Sequence, residues 1–209
     1  MRAAIVHDSS HTESTITFEA ILLAEPWQIF LAIVGTMFVG IFLLSLVELE
    51  DLNLFISVFG NYLPEILLAS WFYIVGSNLH RMRPPEARLS MRRFVFNLAY
   101  FLLYSLILLY TAAHLLTTGN LTSLGTELLI LLPFHAYAVV AAISIVAFVA
   151  KALVCVTDRQ DVRFHAYAGT FLALFFFPFG IWYIQPRIQA IVRDRIHHED
   201  DLGGNLIEP

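Results

Sequence analysis

The chain has 209 residues, is 58% hydrophobic and 14% charged, and carries a formal net charge of −5 with 12 Lys+Arg residues. Soluble domains run at about 45–50% apolar and about 25% charged, so a soluble globule has no place to hide this excess. The negative balance and the few cations argue against a phosphate-tracking face, and so against nucleic acid as a direct partner. The single Cys155 excludes an internal disulfide and an all-cysteine metal site; it reads as a small apolar residue near a helix end.

Residues 1–27 read as a polar tail with acidic residues and no basic region leading into an apolar one, so no secretory leader is expected. His7, Asp8 and His11 have metal-ligand chemistry but sit among scattered polar residues, and no cofactor is expected. Residues 17–25 fit a short interfacial helix, with Trp27 as its anchor. Gln28 to Val47 is a run of 20 uncharged residues, the first expected span, closed by Glu48, Glu50 and Asp51. Its Gly35 and Gly40 are spaced GxxxxG, which is not the GxxxG packing motif.

Leu52 to Leu79 is apolar except for Glu65 and a few small polar groups. Asn61, Pro64 and Glu65 predict a break and restart, because proline suits a first helical turn and a carboxylate suits its positive end. The loop 80–93 holds five arginines, Arg81, Arg83, Arg88, Arg92 and Arg93, against Glu86. By the positive-inside bias this loop is cytoplasmic, and its arginines are candidates for contact with anionic lipid or a soluble partner. Pro84 and Pro85 stop the preceding helix.

Phe94 to Ala113 is the third expected span. Asn97, Tyr100 and Tyr104 recur at helical spacing, so they share a face that packs inward if it lies in lipid. The segment 114–126 has no Lys or Arg and reads as external; its Asn120-Leu121-Thr122 sequon has no meaning in bacteria. Leu128 to Ala150, with Pro133, His135 and Tyr137, is the fourth span. Lys151, Arg159 and Arg163 then mark a second cytoplasmic segment, with Lys151 snorkelling, and this order puts the N-terminus in the cytoplasm.

Phe164 to Pro186 is 23 uncharged residues, long enough to cross, but crossing would export Arg187, Arg193 and Arg195. A segment broken near Pro178 and Gly180, re-entrant or interfacial, keeps both flanks inside. The expected fold is thus all-α: a polytopic transmembrane helical bundle over 28–195, with four spans plus this C-terminal segment, a fifth span being the alternative. Residues 196–209 form a charged tail expected to be disordered. Phe134-His135-Ala136-Tyr137-Ala138 recurs as Phe164-His165-Ala166-Tyr167-Ala168, an echo without flanking similarity.

Leu132-Pro133-Phe134-His135, Phe148 to Leu153, and Pro178-Phe179-Gly180-Ile181-Trp182-Tyr183-Ile184-Gln185-Pro186-Arg187-Ile188 together resemble small bacterial integral membrane proteins that end in a PIGIWFIQPRIN-like motif. Trp71 to Gly76 followed by Arg83-Pro84 resembles that family's earlier W-x-Y-S-I-G…LP segment. Phe179 and Gln189 stand where the family has Ile and Asn. The resemblance covers residues 60–192 and implies a helical fold in a bacterial inner membrane, without implying a reaction.

Intramembrane ionisable groups are functional candidates. Glu65 offers a proton or cation site, or else sits at a helix start by the external interface. His135 offers a relay or a pore lining, or else bonds a neighbouring helix; Asn97, Tyr100 and Tyr104 are candidates for the same path. Gln185, Pro186 and Arg187 fit a structural lock that caps carbonyls, or a site for a lipid phosphate. HExxH, Walker and GxSxG patterns do not occur, and no enzyme is expected. The expected function is an inner-membrane accessory that forms homo-oligomers and alters permeability, in a defence or stress setting. The alternative is a non-conducting anchor that recruits a cytoplasmic protein through loop 80–93 and the C-terminal tail; an intramembrane lipid-modifying enzyme ranks last.

Overall fold

Long uncharged runs hide their backbone polar groups most simply as helices, and every described element is helical. The computed structural model describes residues 21–46, 50–118 and 124–204. The elements are α1 (Pro26–Phe30), a π-helical stretch (Leu31–Gly35), α2 (Thr36–Leu46), α3 (Glu50–Met82), α4 (Met91–Thr118), α5 (Leu124–Asp158), α6 (Phe164–Phe175) and α7 (Phe177–Gly204). The possible metal residues of the N-terminal tail, the expected helix start at 17–20 and the sequon lie outside the described residues.

Of the four expected spans, two are helices long and apolar enough to cross a membrane, Met91–Ala112 in α4 and Leu131–Asp158 in α5. Half of the most apolar window of α5 is buried, against 17% for α4, so α5 is the central helix and α4 an outer one. Pro26–Phe42 is apolar but shorter.

Local chemistry explains the interruptions. Pro26 opens α1, and the Gln28 side-chain carbonyl accepts the Glu25 N–H at 2.8 Å. The Thr36 hydroxyl donates to the Ala32 and Ile33 carbonyls at 2.7 and 2.9 Å, occupying acceptors of the helical ladder beside the wider π turn.

The expected restart at Pro64 is not present: α3 runs unbroken through it. Proline has no N–H, so the carbonyl four residues back, on Gly60, loses its helical donor. That carbonyl faces α2 instead, where a methyl at Gly40 would come within 2.6 Å of it. The Gly40–Gly60 crossing lets the two backbones meet and gives the freed carbonyl a Cα–H neighbour. Glu65 is therefore a mid-helix residue, not a helix-start residue.

Consecutive long helices run antiparallel. Gly76 on α3 abuts Phe94 near the start of α4, and the Tyr62 hydroxyl donates to the Leu102 carbonyl at 2.8 Å. Phe94 stacks on Phe148 of α5 at 4.3 Å, and Val75, Leu79, Val149 and Leu153 complete this part of the core.

The C-terminal segment doubles back. Pro178 cannot continue α6, which ends at Phe176 (φ −93°, ψ 51°), and α7 starts at Phe177 with Pro178 in its first turn. A methyl on Gly180 would lie 1.7 Å from the Ala173 carbonyl oxygen, so only glycine lets α7 return this closely against α6. Phe164–Pro186 is thus a helical hairpin rather than one continuous helix. Its turn lies beside Trp71, whose ring is 5.2 Å from that of Phe177. Trp71 precedes Arg81 by ten residues, and Phe177 precedes Arg187 by ten. Both intervals give about 15 Å of helical rise between the hairpin turn and those arginines.

This folding gathers the cations. Of the 12 Lys+Arg residues, all but Arg2 lie at the end of α3, in the following loop, at the start of α4, at the end of α5 or its following turn, or on α7 from Arg187 onward. The hairpin brings Arg187 back to the end where Arg163 entered, so these groups share one end of the bundle.

Candidate functional site

Three arrangements of polar groups stand out against the apolar helices. The first is a row between α4 and α5. The Tyr137 hydroxyl donates to Asn97 Oδ1 at 3.0 Å, and the Tyr100 hydroxyl donates to the Phe134 carbonyl at 3.1 Å. Tyr104 Oη lies 3.0 Å from His135 Nδ1. The tyrosine rings pack together, with Tyr100 edge-on to Tyr137 at 4.6 Å. Tyr104 is buried and Asn97 and Tyr100 are half-buried, but His135 and Tyr137 are exposed on the outer edge of the helix pair. The structure therefore brings together Asn97, Tyr100, Tyr104 and His135 and adds Tyr137. Helical spacing gave no signal for it, because a two-residue step from His135 turns about 200° around α5.

Glu65 is not part of this row. It is half-buried on α3, and its Oε2 is buried without a hydrogen-bond partner. It stands 16 residues, about 24 Å of helical rise, from Arg81.

The second arrangement is a clamp on the N-terminal segment. Gln185 is fully buried, and its Nε2 donates to the Leu22 and Ala24 carbonyls at 2.9 and 3.0 Å. Gln189 Nε2 donates to the Leu23 and Ala24 carbonyls at 3.1 and 3.0 Å. These carbonyls end the helical turn at residues 21–23 and need donors. Leu22 would normally use the N–H four residues on, but that residue is Pro26. Phe30 packs on Trp182 at 5.4 Å and tightens the same contact. Gln189 was legible as the residue one helical turn beyond Gln185, on the same face. Pro186 and Arg187 are exposed and point away from the clamp.

The third arrangement lies at the cationic end. Arg83 Nε donates to His80 Nδ1 at 3.1 Å, and its Nη1 donates to the Ala87 carbonyl, so this arginine folds the loop around itself. Ala87, Cys155 and Val162 form a small buried cluster that docks the loop on the α5–α6 turn. Lys151 Nζ pairs with Asp161 at 2.7 Å. The Lys151 hydrogen bond holds the Asp161 carboxyl below its ordinary range, helped by the backbone N–H groups of Arg88 and Val162. Arg88, Arg92 and Arg93 are exposed around this frame. Arg92 and Arg93 border a groove of about 300 Å³ that runs up to Asn97 and Tyr137. A groove of about 1280 Å³ lies between the end of α5 and the α6–α7 hairpin, with Arg81, Arg159 and Arg187 among its lining residues. Arg187 sits over the Tyr183 ring, 4.1 Å from its centroid.

Among the described residues no three His, Cys, Asp or Glu side chains are grouped to hold a metal ion. The echoed pentapeptides occupy different settings, mid-helix in α5 and the first turn of α6. No family model, no curated protein and no solved structure matches the chain.

Proposed function

We propose that this is a polytopic membrane protein whose copies assemble and alter the permeability of a bacterial inner membrane. The α4–α5 row carries that proposal. If these two apolar helices cross the bilayer, the exposed His135 and Tyr137 face hydrocarbon, where uncovered polar groups are costly. A second copy laid on this edge covers them, and a row lining the seam gives water or ions polar partners. The row sits on the outer edge of one copy, so a path forms between copies rather than within one.

The topology that goes with this proposal has four crossing legs: α1 through α2, then α3, α4 and α5. The α6–α7 hairpin is re-entrant, reaching about half of a hydrocarbon core of about 30 Å. The cationic end is cytoplasmic, by the positive-inside bias. Glu65 then lies toward the opposite surface, as the mouth or gate of the path.

Mass photometry in mild detergent and liposome flux on the same sample test this. The expected result is a defined oligomer that leaks, with flux altered by His135→Ala and by Glu65→Gln. A monomer with no flux, or flux indifferent to both substitutions, overturns it. The second reading, a non-conducting anchor, is favoured by the loop that Arg83 folds into a fixed shape with Arg88, Arg92 and Arg93 outward. It predicts no flux, together with a cellular role that is lost when those three arginines are replaced by glutamine.

A further inference from the structure

We infer that the groove between the end of α5 and the α6–α7 hairpin binds an anionic phospholipid, its phosphate held among Arg81, Arg159 and Arg187. This rests on the membrane placement proposed above, though not on conduction.

The three arginines come from three places, the last turn of α3, the turn after α5 and the middle of α7, and the fold brings them to one groove. None has a carboxylate partner among the described residues, whereas Lys151 is neutralised by Asp161. Arg81, Arg159 and Arg187 face two aspartates of the lining, Asp158 and Asp194, which leaves an excess of positive charge even with Arg195 set aside. Arg187 is steadied against Tyr183, so less side-chain freedom is lost when it meets an anion. Arg159 has a left-handed backbone (φ 53°), a geometry that suits glycine; here it turns the chain out of α5 and leaves a guanidinium at the rim.

The floor is apolar. Leu153, Val156, Ala166, Ala190 and Ile191 line it, which an inorganic anion does not need and the upper acyl chain of a lipid does. Gly169 leaves the groove open, since a Cβ there would meet nothing within 4 Å. The hairpin turn beyond it exposes Phe175, Phe176 and Phe179, the last 83% exposed, as an apolar surface continuous with acyl chains. The groove lies at the level of the cationic end, where headgroups sit if the bundle is embedded as proposed.

Gly169→Leu and Arg187→Gln are the discriminating variants. The leucine's Cβ meets no protein atom within 4 Å, so its branch extends into the groove, and an unfolding midpoint equal to wild type checks that the fold is retained. The full chain, extracted in mild detergent, is offered equal amounts of phosphatidylglycerol and phosphatidylcholine, and retained lipid is read by native mass spectrometry. The expected result is retention of phosphatidylglycerol over phosphatidylcholine by about tenfold, the scale of one charge-assisted hydrogen bond. That preference falls in Arg187→Gln and disappears in Gly169→Leu, while Arg163→Gln, at an exposed position outside the groove, keeps it. Equal retention of both lipids, or a preference unchanged in both groove variants, overturns the assignment. So does displacement of the bound lipid from the wild-type chain by inorganic phosphate alone, which points to a free-anion site. Alkaline carbonate extraction of the source membranes separates the two levels of inference. Release of the chain removes the membrane placement itself, and retention without lipid preference removes only the groove assignment.

Discussion

Replacing Gln185 by leucine removes the two donors that serve the Leu22 and Ala24 carbonyls. Ala24 keeps the Gln189 donor at 3.0 Å, so only Leu22 is stranded, because Pro26 offers it no N–H. A stranded buried acceptor costs about 1–3 kcal/mol, and a lost neutral hydrogen bond about 1 kcal/mol. Against this, the Gln185 Oε1 is already buried without a partner, and leucine relieves that penalty. The two buried-acceptor terms offset each other, and the net expectation is a loss of about 1 kcal/mol. Gln189→Leu strands the Leu23 carbonyl in the same way and leaves Ala24 to Gln185. The double variant alone strands Ala24, so its loss exceeds the sum of the single losses by about 1–3 kcal/mol. Denaturation of detergent-solubilised chain measures all four corners of the cycle, and limited proteolysis reports whether residues 21–30 come loose. Strict additivity, or single variants with unchanged midpoint and unchanged protection of 21–30, refutes the shared-acceptor geometry.

Gly180→Ala places a methyl 1.7 Å from the Ala173 carbonyl oxygen and should open the hairpin, at a cost above about 3 kcal/mol, visible as a lowered unfolding midpoint. Gly40→Ala meets the Gly60 carbonyl at 2.6 Å and should destabilise the α2–α3 crossing, although glycine to alanine within a helix ordinarily gains about 1 kcal/mol; a gain in thermal stability refutes the close approach. A double-mutant cycle of Tyr104→Phe and His135→Ala should show coupling of about 0.6 kcal/mol, and zero coupling means the 3.0 Å contact contributes nothing. The folded-state pKa of Asp161 is depressed below 3.8, so its contribution is present above that pH and is lost as pH falls through the folded value. Wild type should therefore exceed Asp161→Asn in melting temperature at neutral pH, the gap closing on acidification; a gap that widens in acid has the wrong sign.

Composition and long uncharged runs made the helical class legible, and Pro84-Pro85 and Pro178 marked real chain reversals, because neither proline continues the helix before it. Pro64 misled for the opposite reason. Its missing donor is offset across the bundle, where Gly40 approaches the orphaned Gly60 carbonyl, and that partner lies 20 residues away in sequence. The spacing of Asn97, Tyr100 and Tyr104 gave their common face, but the α5 groups that answer them depend on the register between two helices, which no local pattern encodes. Arg159 was visible only as a topology marker, and its place beside Arg81 and Arg187 follows from the hairpin. The Gln185 clamp joins residues 163 positions apart, beyond the reach of any window.

That separation also governs the order in which the molecule is made. The segment at 21–24 leaves the ribosome first among the described residues, and the amide donors on α7 that serve its carbonyls are among the last to be synthesised. This segment must therefore wait through the synthesis of α3, α4, α5 and α6 before it is fastened, with α2 held meanwhile by the Gly40–Gly60 crossing. A nascent chain halted before Gln185 has α1 to α6 but an unlocked front, which makes residues 21–30 a natural point of attack for quality-control proteases. Completion of the C-terminal hairpin supplies the donors that fasten the front of the chain, so the two ends are fixed together, after everything between them has been made.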